Sequence, residues 1–395
     1  MKDKQIEKLI KAEEKRQKNI INLIPSENYV SKDVLTALGS IFDNKYAEGY
    51  PHARYYGGQV NTDKLEILCQ ERALKLFKLK PDEWHVNVQP LSGSPANLAV
   101  YLALAPKGSK IMGLPLSSGG HLTHGQKVSI TGKVWEQLPI AIDFKTELID
   151  YVKMKEDAMR EKPTVIIVGF TAYPRFVNFK KCREIAGSCG AFLMVDMSHF
   201  AGLVAGGVYP SPFEYADVVT TTTHKTLRGA RSAMIFVRKD KKIADKNISS
   251  LIDKAIFPGL QGGPHMGQIA AMAIMLKEDN TPAFKKYAKQ IVKNAKVFAD
   301  ELKKLGWRII SGGTDSHLIL MDTWMNGKGI PGKEAEAKLE KAGIICNKNT
   351  IPGETRSPFD PSGIRMGTPA ETTRGGKEKD FIQIARKIDK VLRGK

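Results

Sequence analysis

The sequence predicts an α/β fold, in which a large domain around a mostly parallel sheet precedes a smaller C-terminal α/β domain. Three segments in the middle of the chain have the length and composition of buried strands: residues 165–170, 191–196 and 216–223. The first two are apolar, and the third carries six β-branched residues in a row, from Val218 to Thr223. Strands that recur about every 25 residues with helical sequence between them indicate right-handed β-α-β units, and hence parallel pairing. After residue 280 a helix, a strand, a helix, a strand and a final helix follow one another.

The remaining elements can be placed in chain order. Residues 1–20 carry Ile6, Leu9 and Ile10 at the spacing of an amphipathic helix. Residues 22–61 are rich in Gly, Pro, Asn, Tyr and Ser and predict an extended arm with loops. Helical spacing returns at residues 62–79, 280–306 and 333–341, and strands are expected at 318–321 and 343–346. We divide the chain into an N-terminal helix and arm (residues 1–50), a large domain (51–280) and a small C-terminal domain (281–395).

Composition limits the class of protein. The 395 residues are 42% hydrophobic and 26% charged, which is typical of a globular enzyme. No apolar run reaches the length of a membrane span, and the Lys- and Glu-rich N-terminus lacks the apolar core of a secretory signal. The cysteines are scattered and form no Cys-x-x-Cys pair: Cys69, Cys182, Cys189 and Cys346. We expect a cytoplasmic protein without disulfides, bound metal or membrane partner.

The net charge of +19 raises nucleic-acid binding as a hypothesis. The Lys and Arg residues are nevertheless dispersed among acidic ones, and no basic stretch alternates with aromatic residues as a stacking platform requires. We favour a lysine-rich solvated surface, whose field also attracts phosphates and carboxylates. An RNA-binding role is the remote alternative.

Polar groups follow the three predicted strands of the large domain, at Thr171, Asp196 and His224 with Lys225. In open α/β sheets the ligand crevice lies at these carboxyl ends. The amine of Lys225 can form a Schiff base with pyridoxal 5'-phosphate. A carboxylate such as Asp196 keeps the pyridine nitrogen of that cofactor protonated, which makes the ring an electron sink.

A phosphate site is predicted where Ser92, Gly93, Ser94 and Pro95 precede the apolar helical segment 96–105. Pro95 suits the first helical position and Ser94 the cap. The free backbone N–H groups at such a helix start bind phosphate. A simple capped helix is the commoner explanation of this pattern taken alone.

Two further motifs carry candidate ligand groups. His121 and His124 are three residues apart in GGHLTHG, but no third ligand is evident, so we expect an imidazole lying on a cofactor ring rather than a metal site. Arg365 in SGIRMGTP suits an amino-acid substrate, because a guanidinium grips a carboxylate with two parallel hydrogen bonds.

Taken together, the chain resembles the serine hydroxymethyltransferase family from about residue 23 to near its C-terminus. The likeness rests on strings that occur in the family's order: PSENYVS, KYAEGYP, RYYGG, NVQPLSGSPAN, GGHLTHG, VDMSHFAGLVA, VVTTTTHKTLRG, FPGLQGGP, SGGTDSHL and SGIRMGTP. The resemblance implies the aspartate-aminotransferase (type I) fold of pyridoxal-phosphate enzymes. It also implies a homodimer with shared active sites, and it leaves open whether dimers pair into tetramers.

The implied activity is the reversible conversion of L-serine and tetrahydrofolate, or another reduced pterin, into glycine and methylene-tetrahydrofolate. The resemblance implies cofactor contacts at Lys225, Asp196, His121, Thr171, His199, Ser92, Gly93 and Ser94, joined from a second subunit by Tyr46, Tyr56, Gly262 and Gly263. The implied catalytic set is Lys225, His121, His224, Arg231, Tyr56 and Glu48, of which Glu48 would move protons at the substrate hydroxyl or the pterin. The implied substrate contacts are Ser26 and Arg365 at the carboxylate, Glu48 at the substrate hydroxyl or the pterin, and Tyr55, Leu116, Gly120, Leu122, Asn349, Ser357, Pro358 and Phe359 at the pterin.

The sequence departs from the family's pattern at Ser198, where alanine is expected under the cofactor ring, and at Ser118, where histidine is common. A pterin-independent aldolase acting on β-hydroxy amino acids is the alternative function on the same fold. The GGHLTHG and SPF strings argue against it, because the family uses those regions for the pterin.

Overall fold

The larger sheet of the protein has seven strands, as a computed structural model that describes residues 1–394 shows. In chain order the strands are β1 (Trp84–Asn87), β2 (Lys110–Gly113), β3 (Glu136–Pro139), β4 (Val165–Gly169), β5 (Phe192–Asp196), β6 (Val218–Thr222) and β7 (Ala233–Arg238). Their order across the sheet is β1-β7-β6-β5-β4-β2-β3. Strands β2 to β6 pair in parallel, and β7 runs antiparallel to both of its neighbours. The predicted mostly parallel sheet is confirmed.

Helices cover both faces of this sheet. The α-helices are α1 (Lys4–Asn19), α2 (Lys32–Leu38), α3 (Val60–Leu76), α4 (Gly93–Leu104), α5 (Ile130–Val134), α6 (Tyr151–Glu161), α7 (Phe179–Cys189), α8 (Ala201–Ala205), α9 (Ile248–Lys254), α10 (Met266–Asp279), α11 (Pro282–Lys304), α12 (Gly332–Lys341), α13 (Pro369–Thr373) and α14 (Glu378–Arg393). In β4, Ile166 and Val168 join the core that contains α3, α7 and α10, whereas Val165 and Ile167 join the core beneath α4 and α9. The alternation follows the two-residue period of a strand.

A second, antiparallel sheet lies in the C-terminal part of the chain. Its strands are β8 (Arg308–Ile309), β9 (Leu318–Asp322), β10 (Asn347–Asn349) and β11 (Gly363–Gly367), in the order β8-β9-β11-β10. Apolar residues of α11, α12 and α14 form a separate core with it. The division at residues 50 and 280 remains a prediction.

The N-terminal arm enters this C-terminal core. Ile21–Asn22 pairs in parallel with Ile344–Ile345, so the strand expected at 343–346 is shorter and lies outside the antiparallel sheet. The backbone of Leu23 bonds to Ile345 on one side and to Gly367 on the other, and its side chain is fully buried. The arm therefore becomes part of the small unit's core.

The rest of the arm is less extended than its composition suggests. It contains α2 and a 3-10 helix, Ile41–Asn44, because the Ser31 hydroxyl caps α2 and Val34 is buried. Three pairs of two-residue antiparallel strands lie outside the two sheets: Gly49–Tyr50 with Ala53–Arg54, Ile142–Asp143 with Leu148–Ile149, and Lys242–Ile243 with Lys246–Asn247. Across residues 1–394, none of the helices combines the length and apolarity needed to cross a bilayer.

Candidate active site

The carboxyl ends of β4, β5 and β6 surround a cavity of about 130 Å³. Its lining includes many residues singled out from the sequence: Ser92, Gly93, Ser94, His121, Thr171, Asp196, His199, His224, Lys225 and Arg231. A larger groove of about 510 Å³ runs between α6 and α7, but apolar side chains, lysines and glutamates line it. We therefore take the smaller cavity as the candidate active site.

Lys225 lies just beyond the end of β6. Its Nζ atom donates a hydrogen bond of 2.9 Å to Oγ1 of Thr222. Burial lowers the pKa of the ammonium group to about 8, and the charge of Arg231 acts in the same direction, while the Asp196 carboxylate opposes them. A lysine with this pKa is partly neutral near physiological pH, and the neutral amine is the form that attacks an aldehyde.

His224 and Arg231 line the cavity beside this lysine. Burial lowers the pKa of His224 to about 3, and the charge of Lys225 contributes. The Nδ1 atom of His224 is buried and finds no hydrogen-bond partner within residues 1–394. Arg231 is exposed, yet its charge lowers the pKa of both neighbours. The cavity is consequently electropositive and suits anionic groups.

Asp196, the last residue of β5, accepts hydrogen bonds at both carboxylate oxygens. Oδ1 accepts the backbone N–H of Ser198 at 3.0 Å. Oδ2 accepts from Nδ2 of Asn97 at 2.9 Å and from Nε2 of His124 at 3.3 Å. Burial alone would raise the pKa of Asp196, but these donors hold it well below its usual range. The carboxylate therefore stays ionised inside the protein.

The hydrogen-bond network also orients His124. Its Nδ1 atom accepts the backbone N–H of His121 at 3.3 Å. The proton of the neutral ring must then lie on Nε2, the atom that faces Asp196. A sequence pattern that resembled a pair of metal ligands thus supplies one donor to a buried carboxylate.

The ring of His121 lines the cavity and is held at its Nδ1 atom. The backbone N–H and the hydroxyl of Thr123 lie 3.2 Å and 2.7 Å from that atom. Asn97 in turn donates to Oγ1 of Thr123 at 2.9 Å. Burial lowers the pKa of His121 to about 4, with a smaller effect from His124. A fixed, neutral imidazole suits the ring-stacking role implied by the resemblance.

The start of α4 lies next to β6. Ser92 is the N-cap and Gly93 the first helical residue, so the prediction that Ser94 caps a helix opened by Pro95 is wrong. The earlier start is possible because Gly93 has no side chain: a Cβ there would lie 2.7 Å from Cγ2 of Thr222. No side chain caps the first turn, which leaves its N–H groups for an anion.

Arg365 lies on β11 and contacts Thr171, a residue that lines the cavity. Its Nη1 atom donates to the carbonyl of Thr171 at 2.6 Å, and its Nε atom donates to Oδ1 of Asn347 at 3.0 Å. Burial lowers the pKa of Arg365 to about 10, so the side chain is still cationic at neutral pH. The two bonds fix the guanidinium plane and leave both N–H groups of Nη2 and one of Nη1 for a carboxylate.

Thr171 lines the same cavity but uses its hydroxyl locally. The hydroxyl donates to the carbonyl of Gly120 at 2.9 Å, while the Thr171 carbonyl accepts from Arg365. Thr171 therefore ties the loop that carries His121 to the arginine of the C-terminal unit. Its predicted position beside the cofactor is compatible with this, although its hydroxyl hydrogen is already engaged.

His199 stacks on a histidine that the sequence analysis did not single out. The rings of His199 and His317 are 5.6 Å apart at their centroids and inclined by 21°, with Nδ1 of His199 3.3 Å from Nε2 of His317. Burial lowers the pKa of both rings, that of His317 to about 3. Because His317 immediately precedes β9, this neutral pair joins the C-terminal sheet to the cavity.

Another group of predicted residues forms a separate cluster, which we call the arm cluster: Tyr46, Glu48, Tyr56, Gly262 and Gly263. The Tyr46 hydroxyl donates to Oε1 of Glu48 at 3.4 Å, and the Tyr46 and Tyr56 rings meet edge-on. A Cβ on Gly262 would lie 3.0 Å from Oε1 of Glu48, and one on Gly263 would lie 3.6 Å from the Tyr46 ring. None of these residues lines the cavity of its own chain.

The other predicted substrate contacts also lie outside the cavity lining. One loop carries Leu116, Gly120 and Leu122 and includes His121. The remaining residues predicted at the pterin are Tyr55, which is exposed, Asn349, which ends β10, and the exposed run Ser357, Pro358 and Phe359. Ser26 lies in a groove of about 380 Å³ that shares His224 and Arg231 with the cavity.

Four contacts that the sequence did not predict hold the predicted residues in place. Asn97 and His124 donate to Asp196, Asn347 holds Arg365, and His317 contacts His199. Asn97 and His317 fall inside the NVQPLSGSPAN and SGGTDSHL strings, which is the only sequence signal that pointed to them.

The chain is similar over nearly its whole length to known proteins. The family model described as serine hydroxymethyltransferase matches residues 1–388. The chain is 49% identical to the probable cytosolic serine hydroxymethyltransferase of Schizosaccharomyces pombe, over 99% of this chain and 85% of the relative. It is 51% identical to the serine hydroxymethyltransferase of Caenorhabditis briggsae, over 97% of this chain and 76% of the relative. It is also 51% identical to the serine hydroxymethyltransferase of Desulfotalea psychrophila, over 99% of this chain and 88% of the relative.

Proposed function

The chain belongs to the serine hydroxymethyltransferase family, and from that premise we propose that it moves the hydroxymethyl carbon of L-serine to tetrahydrofolate, or a related reduced pterin, and leaves glycine. The protein is a pyridoxal-phosphate-dependent hydroxymethyltransferase, and its reaction is reversible. The observation that carries the proposal is the meeting of Lys225, Asp196 and the uncapped start of α4 in one cavity.

The residues at this cavity fit pyridoxal 5'-phosphate. The aldehyde requires an amine that is partly neutral, which Lys225 supplies. The phosphate requires free N–H groups, which the start of α4 at Gly93 supplies. The pyridine nitrogen requires an ionised carboxylate, which Asp196 supplies. Ser92 and Ser94 would contribute hydroxyl groups to the phosphate.

When bound, pyridoxal phosphate supplies a protonated ring that takes up the electron pair released at the α-carbon of the amino acid. We assign Asp196 to hold the proton on the ring nitrogen, with Asn97 and His124 keeping the carboxylate ionised. His121 would cover one face of the ring, while Thr171 and His199 would lie at its phenolic oxygen. These protein groups orient the cofactor and exclude water from it.

Arg365 is assigned to the carboxylate of serine or glycine. A planar guanidinium held at two points is preorganised for two parallel hydrogen bonds to a carboxylate. Ser26 would assist it from the neighbouring groove, which also contains His224. His224 would influence which bond of the substrate breaks, because it stands beside the reacting lysine.

The arm cluster supports a homodimer with shared active sites. Its tyrosines are exposed, and Glu48 lies outside its own chain's cavity. Helix α1 has no buried residue, although Ile6, Leu9 and Ile10 are apolar. Residues that the family places at the active site, but that are exposed and lie away from it in their own chain, can reach the active site of a second copy in a symmetric dimer. We assign Tyr46, Glu48, Tyr55, Tyr56, Gly262 and Gly263 to the site of the partner.

The loop that carries Leu116, Gly120 and Leu122 is assigned to the pterin, together with Asn349 and residues 357–359. The names of three relatives include the word cytosolic, which supports a cytoplasmic location for this protein. A pterin-independent aldolase would use the same cavity and differ only in these outer loops.

One experiment tests the function and its rival together. The purified protein, supplied with pyridoxal phosphate, is expected to be yellow and to change its absorbance when glycine is added and again when tetrahydrofolate follows. Serine cleavage is expected to depend on tetrahydrofolate. Cleavage that proceeds equally without it would indicate the aldolase. A protein that stays colourless, and whose spectrum Lys225→Ala does not alter, would refute the proposal.

A further inference from the structure

Ser198 connects the two groups on which the proposed function rests. Its backbone N–H donates to Oδ1 of Asp196 at 3.0 Å. Its Oγ atom accepts the backbone N–H of Thr222 at 2.9 Å. Thr222 in turn accepts, at Oγ1, the 2.9 Å hydrogen bond from Nζ of Lys225. Ser198 is 8% exposed and lines the cavity, so it is a continuous link between the carboxylate and the amine.

The hydroxyl of Ser198 accepts its hydrogen bond just beyond the point where β5 and β6 stop pairing. The register between β5 and β6 ends with Asp196 opposite Thr220, and Met197 donates to the Thr220 carbonyl at 2.9 Å. Further along β6, the N–H of Thr222 has a side-chain hydroxyl as its acceptor. A buried N–H without an acceptor is costly, so this bond fixes the last residue of β6 and, with it, the hydroxyl that Lys225 contacts.

We infer that Ser198 is a positioning residue for Lys225, which it controls through Thr222. The inference rests on the proposed function, because it concerns the proposed attachment residue. The Thr222 hydroxyl accepts a hydrogen bond from the ammonium group and so favours the protonated amine. If the Ser198 hydroxyl is removed, the end of β6 loosens, the acceptor moves, and the protonated amine loses part of this stabilisation.

Other charged and titratable groups also face the amine, and the test leaves them unchanged: Asp196 on β5, Arg231 after β6, Arg365 on β11, and the histidines at 121, 199, 224 and 317. Only a change at Ser198 or Thr222 alters the link itself. A shift shared by variants at both positions therefore reports on that link.

The test measures how the reactivity of Lys225 depends on pH in full-length, cofactor-free protein. Pyridoxal phosphate is added at a series of pH values, the adduct is trapped with borohydride, and peptide mass spectrometry quantifies labelling at Lys225. Only the neutral amine reacts, so a lower amine pKa moves the midpoint to lower pH. Thr222→Val is expected to move it down by about one pH unit, the size of a lost hydrogen bond to a charged group.

Ser198→Ala is expected to move the midpoint in the same direction, and the Ser198→Ala/Thr222→Val double variant to match Thr222→Val alone. Thr222→Ser keeps the hydroxyl and is expected to keep the wild-type midpoint. The matched control is Ser188→Ala on α7, which removes a hydroxyl that donates to the Ile185 carbonyl at 2.7 Å. Its midpoint is expected to stay unchanged.

The inference fails if Ser198→Ala behaves like Ser188→Ala, or if the two single shifts add in the double variant. Should Ser198→Ala not fold, Ser198→Cys replaces it, because a thiol is a weak acceptor of similar shape. The same sign of shift is then required. If wild-type protein is not labelled at Lys225 at all, the proposed function fails instead, so the two failures are distinguishable.

Discussion

The Nε2 atom of His124 lies 3.3 Å from Oδ2 of Asp196, and both side chains are buried. The backbone N–H of His121 fixes the tautomer, so the histidine is a donor to the carboxylate. A buried carboxylate with fewer donors has a higher pKa and holds a cationic partner less strongly. The affinity for the proposed cofactor therefore depends on a residue that does not line the cavity.

His124→Phe is expected to raise the pKa of Asp196 and to weaken cofactor binding. Loss of a hydrogen bond to a charged group costs about 1.5–3 kcal/mol, which corresponds to a Kd raised roughly 10- to 100-fold. A spectroscopic titration of the cofactor-free protein with pyridoxal phosphate measures this Kd. His85→Phe is the control, because His85 lies 2.9 Å from Asp253 in a histidine–aspartate pair that does not line the cavity. Equal Kd values for the two variants would contradict the assignment.

Gly93→Ala tests whether the start of α4 holds the phosphate. The added methyl group would lie 2.7 Å from Cγ2 of Thr222, so the helix must move away from β6. We expect the cofactor affinity to fall at least about 10-fold. The free energy of unfolding is expected to fall by about 1–3 kcal/mol. Gly187→Ala, at an exposed position of α7 with open space around it, is the control. It is expected to keep the cofactor affinity and, because Ala favours a helix more than Gly does, to stabilise the fold by up to about 1 kcal/mol. Unchanged affinity in Gly93→Ala would argue against this phosphate site.

Arg365→Lys is expected to raise the KM for L-serine more than it lowers kcat. A lysine keeps the charge but cannot hold Thr171, Asn347 and a carboxylate in one plane. The expected increase in KM is about 10- to 100-fold. Steady-state kinetics with varied serine measure it, and Arg238→Lys, whose partner is the exposed Asp240, serves as the control. A KM that does not change would remove Arg365 from the carboxylate site.

Glu48→Gln is expected to bind the cofactor normally and to lose about 10²- to 10⁴-fold in pterin-dependent turnover, the range of a general acid–base group. Near-normal turnover would refute this role.

The same variant tests whether active sites are shared. Glu48→Gln and Lys225→Ala proteins are each expected to be nearly inactive. After mixing under dissociating conditions and refolding together, about half of the dimers are mixed, and each of these has one intact site if Glu48 serves the partner. Activity is then expected to return to about one quarter of the wild-type value. No recovery would mean that both residues act within one chain.

Sequence patterns located the strands of the site because their signals are local. The runs that form β4, β5 and β6 are apolar or β-branched, have strand length, and end in polar residues. Because ligands bind at the carboxyl ends of parallel strands, Thr171, Asp196 and Lys225 could be placed in one site before any contact between them was known. Local motifs added the helix start at Ser92, the ring of His121 and the guanidinium of Arg365, and the resemblance added the remaining candidate positions.

Local sequence patterns could not predict the contacts that hold these residues in place, because those contacts join distant parts of the chain. Asn97 and Asp196 are 99 residues apart, and His199 and His317 are 118 residues apart. The start of α4 was misplaced because Ser94 and Pro95 carry strong local signals, while the space left by Gly93 depends on Thr222. Helix α2 was not predicted, because the average composition of residues 22–61 indicated loops and outweighed the one helix-start signal, the N-cap at Ser31.

The position of Leu23 also sets an order of events during protein synthesis. The residue leaves the ribosome early, yet the strands and helices that enclose it, from Ala295 to Leu392, are made last. Leu23 must therefore wait, unburied, until residues 295–392 have been made. Removal of the first two dozen residues would leave a gap in the half of the molecule that is translated last.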